Sequence, residues 1–201
     1  MNQYVQSMKN TITEYHEKAL AADAAIKKAV DEYKPEIARE RVADIRAKLA
    51  SAKATTLDAI RDAHRRGVEA YTSKWEHIRG EDITPDAKLL ETGISMTQSQ
   101  YNELCRKYTS AGNNTMCKLL SDYAERTNKR LAQENPGTIF PPGHLIKQEL
   151  PTPEAKEKEW ERAARSAERL IEQMEGEGFM RGANNTYVVN SVEHFGENLE
   201  L

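Results

Sequence analysis

Two consecutive stretches, VQSMKNTITEYHEKALAADAAIKKAVDEY (residues 5–33) and KPEIARERVADIRAKLASAKATTLDAIRDAHRRGVEAYTSKWEHIR (residues 34–79), decide the fold. In the first, Val5, Met8, Ile12, Tyr15, Ala19, Ala22, Ile26, Ala29 and Tyr33 recur at alternating steps of three and four, the a/d seam of a coiled coil. The seam stops at Tyr33-Lys34-Pro35, where the proline ring disfavours α conformation at Lys34 and removes an amide donor. The first helix therefore ends or kinks there, and Pro35 suits the first turn of a second. That second helix carries Val42, Ile45, Leu49, Ala52, Leu57, Ile60, His64, Val68, Tyr71, Trp75 and Ile78 at steps of three or four, with Thr56 bridging a longer step before Leu57. From Pro35 to Arg79 it would run about 65 Å, and Gly80 is expected to cap it.

Helices of that length need each other or another chain to bury their seams. The sequence thus predicts self-association, as a dimer or larger species, through Val5, Met8, Ile12, Tyr15, Ile26, Val42, Ile45, Leu49, Leu57 and Ile60. Asp44 with Lys48, Asp62 with Arg66, and Glu36 with Arg39 are spaced to pair along the helix, each for a few tenths of a kcal/mol.

Composition agrees with an all-α chain. Of 201 residues 38% are hydrophobic, only 6% aromatic and 30% charged, too few large apolar side chains for a sheet-rich core and too few Gly and Pro for a collagenous or disordered chain. The sequence has neither an apolar run of membrane-spanning length nor a secretory signal at its start, so a soluble cytoplasmic protein with no membrane partner is expected. Two cysteines, Cys105 and Cys117, suit a reducing compartment, where the N-x-T triplets at Asn113 and Asn184 carry no glycan. The net charge of −3 hides a gradient, since residues 34–80 sum to +4 and residues 136–201 to −5.

Beyond the long-helix region, taken as residues 1–80, the pattern changes. Residues 81–135 read as a small unit of three short helices. One is opened by Thr84-Pro85-Asp86, a second by the Thr97/Gln100 capping box, and a third by Asn113-Asn114. Residues 136–153 hold five of the seven prolines and read as a linker with polyproline character. A charged helix follows over 154–176, with Trp160, Ala163, Ala167, Leu170, Ile171 and Met174 on one side. Residues 177–201 read as a mostly mobile tail with β propensity at Thr186–Val189.

No catalytic, cofactor-binding or metal site is expected. His16, His64, His77, His144 and His194 fall in different segments without companion ligands at metal spacing. His64 lies in the seam and reads as a register-fixing polar residue. Cys105 and Cys117 read as core packing, and the acidic run Glu154–Glu161 as a solvated face. Dense in large apolar side chains, the short-helix unit is expected to expose a partner surface around Tyr101, Tyr108 and Tyr123. Arg61, Arg65 and Arg66, with basic residues upstream to Arg39, are the candidate nucleic-acid contact, but Asp58, Asp62, Glu40 and Asp44 share their turns and would repel phosphates. Nucleic acid is therefore an unfavoured partner.

Across 83–125, ITPDAKLLETGISMTQSQYNELCRKYTSAGNNTMCKLLSDYAE resembles small helical proteins encoded beside the capsid genes of tailed phages and prophages of low-GC Gram-positive bacteria. The likeness rests on a D-x-K-L-L turn (Asp86, Lys88, Leu89, Leu90) and a Thr-initiated helix with a tyrosine (Thr97, Tyr101). It also rests on N-N-x-M followed by Y-A (Asn113, Asn114, Met116; Tyr123, Ala124), and YKPEIARERVADI at 33–45 is similar to the same group. The resemblance implies a non-enzymatic structural or assembly protein, scaffold-like or capsid-associated. It implies other virion proteins as partners and a place in the infected or lysogenic bacterial cell or the virion. A nucleic-acid-associated protein using the basic helix 39–66 is the alternative.

Overall fold

A computed structural model describes residues 2–92, 96–134, 145–147, 150–174 and 189–196, and among these it is all-α, with no strand. Helix α1 (Gln3–Glu32) starts where the Asn2 side chain accepts from the Tyr4 amide at 2.9 Å, an N-cap bond. It ends at Tyr33, whose backbone turns extended (φ −115°, ψ 153°) ahead of Lys34 and Pro35. Pro35 is the first residue of α2 (Pro35–Glu76), so the break read from the sequence is a full stop followed by a new helix.

The chain divides into two compact units, Met1–Val68 with Glu157–Leu201, and Glu69–Lys156. These limits cut across the segments drawn from the sequence. The unit expected to span residues 1–80 recruits the C-terminal helix, and the one expected over 81–135 takes in the end of α2 and the described parts of the proline-rich stretch. Composition marks where a chain is rich in proline; it does not mark which helix covers which stripe.

In the first unit, α6 (Pro153–Gln173) lays Trp160, Ala163, Ala164, Ala167, Leu170 and Ile171, with Met174 in the turn after it, against Val5, Met8, Ile12, Tyr15 and Ala19 of α1 and Ile60 and Ala63 of α2. Two contacts fix α6 antiparallel to α2. The Trp160 ring lies over Gly67, and Arg61 Nε reaches Glu168 Oε1 at 3.1 Å. A methyl group on Gly67 would stand 2.8–2.9 Å from three carbons of the indole, so only glycine admits the ring there. Residues 189–193 form a further helical turn, and Val192 and Phe195 are buried in the same core. The tail expected to be mobile is therefore anchored at that point; the β-prone residues 186–188 lie outside the described residues, and Val189 is helical.

In the second unit, α3 (Ala87–Glu91), α4 (Gln98–Ser110) and α5 (Asn114–Glu134) enclose a core of Leu90, Tyr101, Cys105, Tyr108, Met116, Cys117, Leu120, Tyr123 and Ala124, closed by Trp75, Ile146 and Leu150. The capping box opening α4 is formed, with Thr97 and Gln100 bonding reciprocally. Asn113 caps α5, its Oδ1 accepting from the Met116 amide at 2.9 Å, after Gly112 takes a left-handed φ of +65°.

Two expected caps are corrected. α2 stops at Glu76 rather than at Gly80, which begins a 3-10 turn, Gly80–Asp82. The Arg79 amide is taken instead by the Thr115 hydroxyl at 3.2 Å. The Thr84 hydroxyl does not cap α3 either; it lies 2.5 Å from the Tyr108 hydroxyl, and a bond into the core replaces one to the helix end.

Described residues of the proline-rich stretch are bound, not free. Gln98 accepts from the Lys147 amide at 2.9 Å and donates to its carbonyl at 3.2 Å. Asn128 does the same for Ile146, at 2.9 and 3.0 Å. Each side-chain amide thereby imitates a neighbouring strand for one residue, satisfying both backbone groups of a segment outside any helix.

Candidate interaction surfaces

The three tyrosines expected to form an exposed partner surface are buried: Tyr101 at 0%, Tyr108 at 3% and Tyr123 at 5% exposure. Their phenols are used internally. Tyr101 donates to the Leu120 carbonyl at 3.3 Å, Tyr123 accepts from the Met96 amide at 3.0 Å, and Tyr108 donates to Asp86 Oδ2 at 2.7 Å. Burial raises the Tyr101 hydroxyl's pKa above its ordinary value, so it stays a neutral donor. Asp86 also takes Lys107 Nζ at 2.7 Å, and these two hydrogen bonds, that from Lys107 first, hold its carboxyl below the ordinary carboxylate value. The three rings turn inward because they sit on the facing sides of α4 and α5, while the large side chains left outside in this unit are aliphatic, Ile78, Ile83 and Leu89 among them.

The residues expected to self-associate separate into two groups. Val5, Met8, Ile12, Tyr15 and Ile60 are fully covered inside the first unit, so α6 has taken the place assigned to a second chain. Leu49 and Leu57 are half-buried against that core, and Ile26, Val42 and Ile45 are half-buried nearer the elbow between α1 and α2. Around them stand Val30, 60% exposed, and Ile37, 46% exposed. Among the described residues of the first unit, the large apolar side chains left exposed are thus at the elbow end of the helical hairpin.

The candidate nucleic-acid arginines are engaged by acids of their own unit. Arg61 reaches Asp58 at 3.5 Å as well as Glu168, Arg66 reaches Asp62 at 2.8 Å, and Arg65 pairs with the same Asp62. Asp44 and Lys48 pair at 2.8 Å as their spacing predicts. Arg41 places its guanidinium 4.0 Å above the Tyr33 ring, a cation–π contact.

Both cysteines are free thiols and buried, and burial pushes the Cys117 thiol up, the opposite of what activates a nucleophile. His64 Nε2 is buried without a hydrogen-bond partner among the described residues. No cluster of three or more His, Cys, Asp or Glu suited to a metal occurs among the described residues, and no described helix is long and apolar enough to cross a membrane. Gly67, Gln98 and Asn128 were not singled out by the sequence. A glycine in mid-helix was the one available signal, since its cost to the helix calls for a packing reason. No known protein family matches the chain, and no curated protein or solved structure is similar to it.

Proposed function

We infer that this chain is a non-enzymatic helical structural or assembly protein that works by self-association and protein–protein contacts. The observation that carries the reading is the elbow of the α1–α2 hairpin, where Val30 and Ile37 are exposed and Ile26, Val42 and Ile45 are only half-buried. Singly exposed aliphatic residues need no explanation, but several gathered at one end of a long helical pair point to contact with a partner. The virion-assembly setting, scaffold-like or capsid-associated, rests on the resemblance at 83–125 and 33–45 to helical proteins encoded beside phage capsid genes.

The nucleic-acid alternative is weakened by the ion pairs at Arg61, Arg65 and Arg66, which supply the countercharge that phosphates would otherwise provide. Light scattering at micromolar concentration tests the main reading. A dimer or larger species is expected, and a strictly monomeric chain up to tens of micromolar would refute self-association.

A further inference from the structure

The face of α2 that receives α6 runs on beyond it. Gly67, which accommodates Trp160, and the fully buried Ile60 are followed at steps of seven toward the elbow by Lys53, Arg46 and Arg39. Residues seven apart share a helix face. The pairings of Trp160 with Gly67 and Glu168 with Arg61 bring the end of α6, at Gln173, level with about residue 55 of α2. From there to Pro35 the hairpin continues for about 30 Å at 1.5 Å per residue, a stretch that α6 does not cover.

Along that stretch lies an open groove of about 550 Å³. Its apolar lining is Val30 and Tyr33 at the end of α1, with Pro35, Ala38, Val42 and Ala43 of α2. Its charged lining, among the described residues, is Arg39 and Arg46 alone, both exposed. Where α6 covers α2, Arg61 is met by Glu168 at 3.1 Å, so the helix laid on this face brings a carboxylate to an arginine. Arg39 and Arg46 make no ion pair among the described residues, and the Glu36–Arg39 pair expected from the sequence is not formed. The groove therefore presents the apolar and cationic half of a contact whose other half, on the covered stretch, α6 supplies.

We propose that the elbow groove is the docking site for an acidic amphipathic helix of a partner protein, laid along α2 beyond the end of α6. This occupant rests on the protein–protein contact reading of the elbow given above. It is a protein other than a second copy docked groove to groove, because that pairing would bring arginine to arginine. A helix is favoured as the occupant because the same face, a few turns away, is already built to take one.

The groove also sets the pattern of that helix. Its lining on α2 runs from Pro35 to Arg46, about 17 Å or three helical turns. Arg39 and Arg46 are about 10.5 Å apart along the axis, so two carboxylates seven residues apart on one border of the helix meet both. Beside them, aliphatic side chains at steps of three and four fill the space over Ala38, Val42 and Ala43. The apolar contact supplies affinity, and the two charge pairs supply selectivity and orientation.

Fluorescence anisotropy on the full chain tests the site with two labelled peptides of about 18 residues, roughly 27 Å, held helical by a staple. Both carry leucines at steps of three and four; one has glutamate, the other lysine, at two flanking positions seven apart. The glutamate peptide is expected to bind at least tenfold tighter than its lysine counterpart. Arg39→Glu with Arg46→Glu, at exposed positions that leave helicity by circular dichroism unchanged, should invert that preference. Val42→Asn, which removes an aliphatic side chain of the lining without adding charge, is expected to weaken the glutamate peptide several-fold. A chain that does not prefer the glutamate peptide, or that keeps the preference after the double reversal, would overturn the site. Neutralising the acids just beyond α6, by Glu175→Gln with Glu177→Gln, is expected to change nothing. Tighter peptide binding in that variant would give the groove to the chain's own sequence and overturn a partner as its occupant. Light scattering reads self-association separately: a monomeric chain that selects the glutamate peptide refutes self-association alone, and a dimer that ignores it refutes the docking site alone.

Discussion

The two units solve the same problem, burial by helices, with opposite materials. The first relies on length: α1, α2 and α6 each present one stripe, mostly alanines and aliphatic residues, and its largest ring, Trp160, fits only because Gly67 leaves room for it. The second relies on rings and polar anchoring: Tyr101, Tyr108 and Tyr123 fill a core made by short helices, with every phenol hydrogen-bonded. A stripe can be continued indefinitely along a helix without a partner to cover it, and the first unit accordingly leaves aliphatic side chains in solvent at its elbow. Rings whose hydroxyls must be satisfied need partners on several sides at once, and the second unit accordingly draws in Ile146 and Leu150 from a segment outside the helices.

Removing one large side chain from each core should have the largest effect and should show whether both are equally well packed. Trp160→Ala in the first unit is expected to cost about 3–5 kcal/mol, and Met116→Ala in the second about 2–5 kcal/mol. Both are read from urea unfolding followed by circular dichroism. A loss under about 1 kcal/mol at Trp160 would mean that the ring is not held as Gly67 suggests.

Filling the notch is the next sharpest test. Gly67→Ala improves helix propensity by about 1 kcal/mol, yet its methyl would meet the indole, an overpacking cost of about 1–3 kcal/mol. Net destabilisation is expected, and Trp160→Leu in the same chain should bring recovery relative to the sum of the two single changes. Strict additivity of the pair in unfolding experiments would dissolve the proposed contact.

Asn128→Ala examines the polar anchoring of the second unit. It strips the Ile146 amide and carbonyl of their partners, and a loss of about 1–3 kcal/mol is expected. Asn128→Asp, which keeps an acceptor but no donor, should fall between. The first unit has no counterpart to this side-chain clamp among its described residues, so equivalent losses from exposed amides there, such as Gln6→Ala, are not expected.

Acid should act first on the second unit through Asp86. Its folded-state pKa is depressed by the bonds from Lys107 and Tyr108, so its contribution to stability is fully present above the unfolded value near 3.8 and is lost as pH falls through the folded value. Between neutral pH and about pH 5 the Asp86→Asn variant should be less stable than the parent by a constant amount, and the gap should close in more acidic solution. A gap that widens with acid would reverse the sign of this linkage.

The smallest effect is expected on the first unit's surface. Arg65→Gln with Arg66→Gln removes exposed pairs to Asp62 and should cost under about 1 kcal/mol. Neither the parent nor this variant is expected to bind duplex DNA at physiological salt. A steep fall of affinity with salt in the parent alone, near −0.9 in slope per phosphate contact, would restore the nucleic-acid reading.

Much of the architecture was legible because it depends on neighbours in sequence. The step-of-three-and-four seam, the halt at Lys34-Pro35, the Thr97/Gln100 box and the Asn113 cap are all set by interactions spanning four residues or fewer, and each stands where the sequence puts it. The Asp44–Lys48 and Asp62–Arg66 pairs belong to the same local class. The apolar stripe of α6 was legible too, but not what it covers.

What a stripe meets is a question of long-range packing, and there only the tertiary structure decides. The seam residues Val5 to Tyr15 called for a covering helix without saying whether it would come from another chain; α6, some 150 residues downstream, supplies it. Tyrosine count gave surplus bulk without direction, and the crossing of α4 with α5 turned the rings inward. The use of Gln98 and Asn128 as substitutes for a strand could not be read either, since an amide side chain has no preferred partner until a loose segment is brought beside it. Local propensity is a property of a few bonds, whereas the choice among distant partners is settled by which arrangement of whole helices leaves the least apolar surface in water.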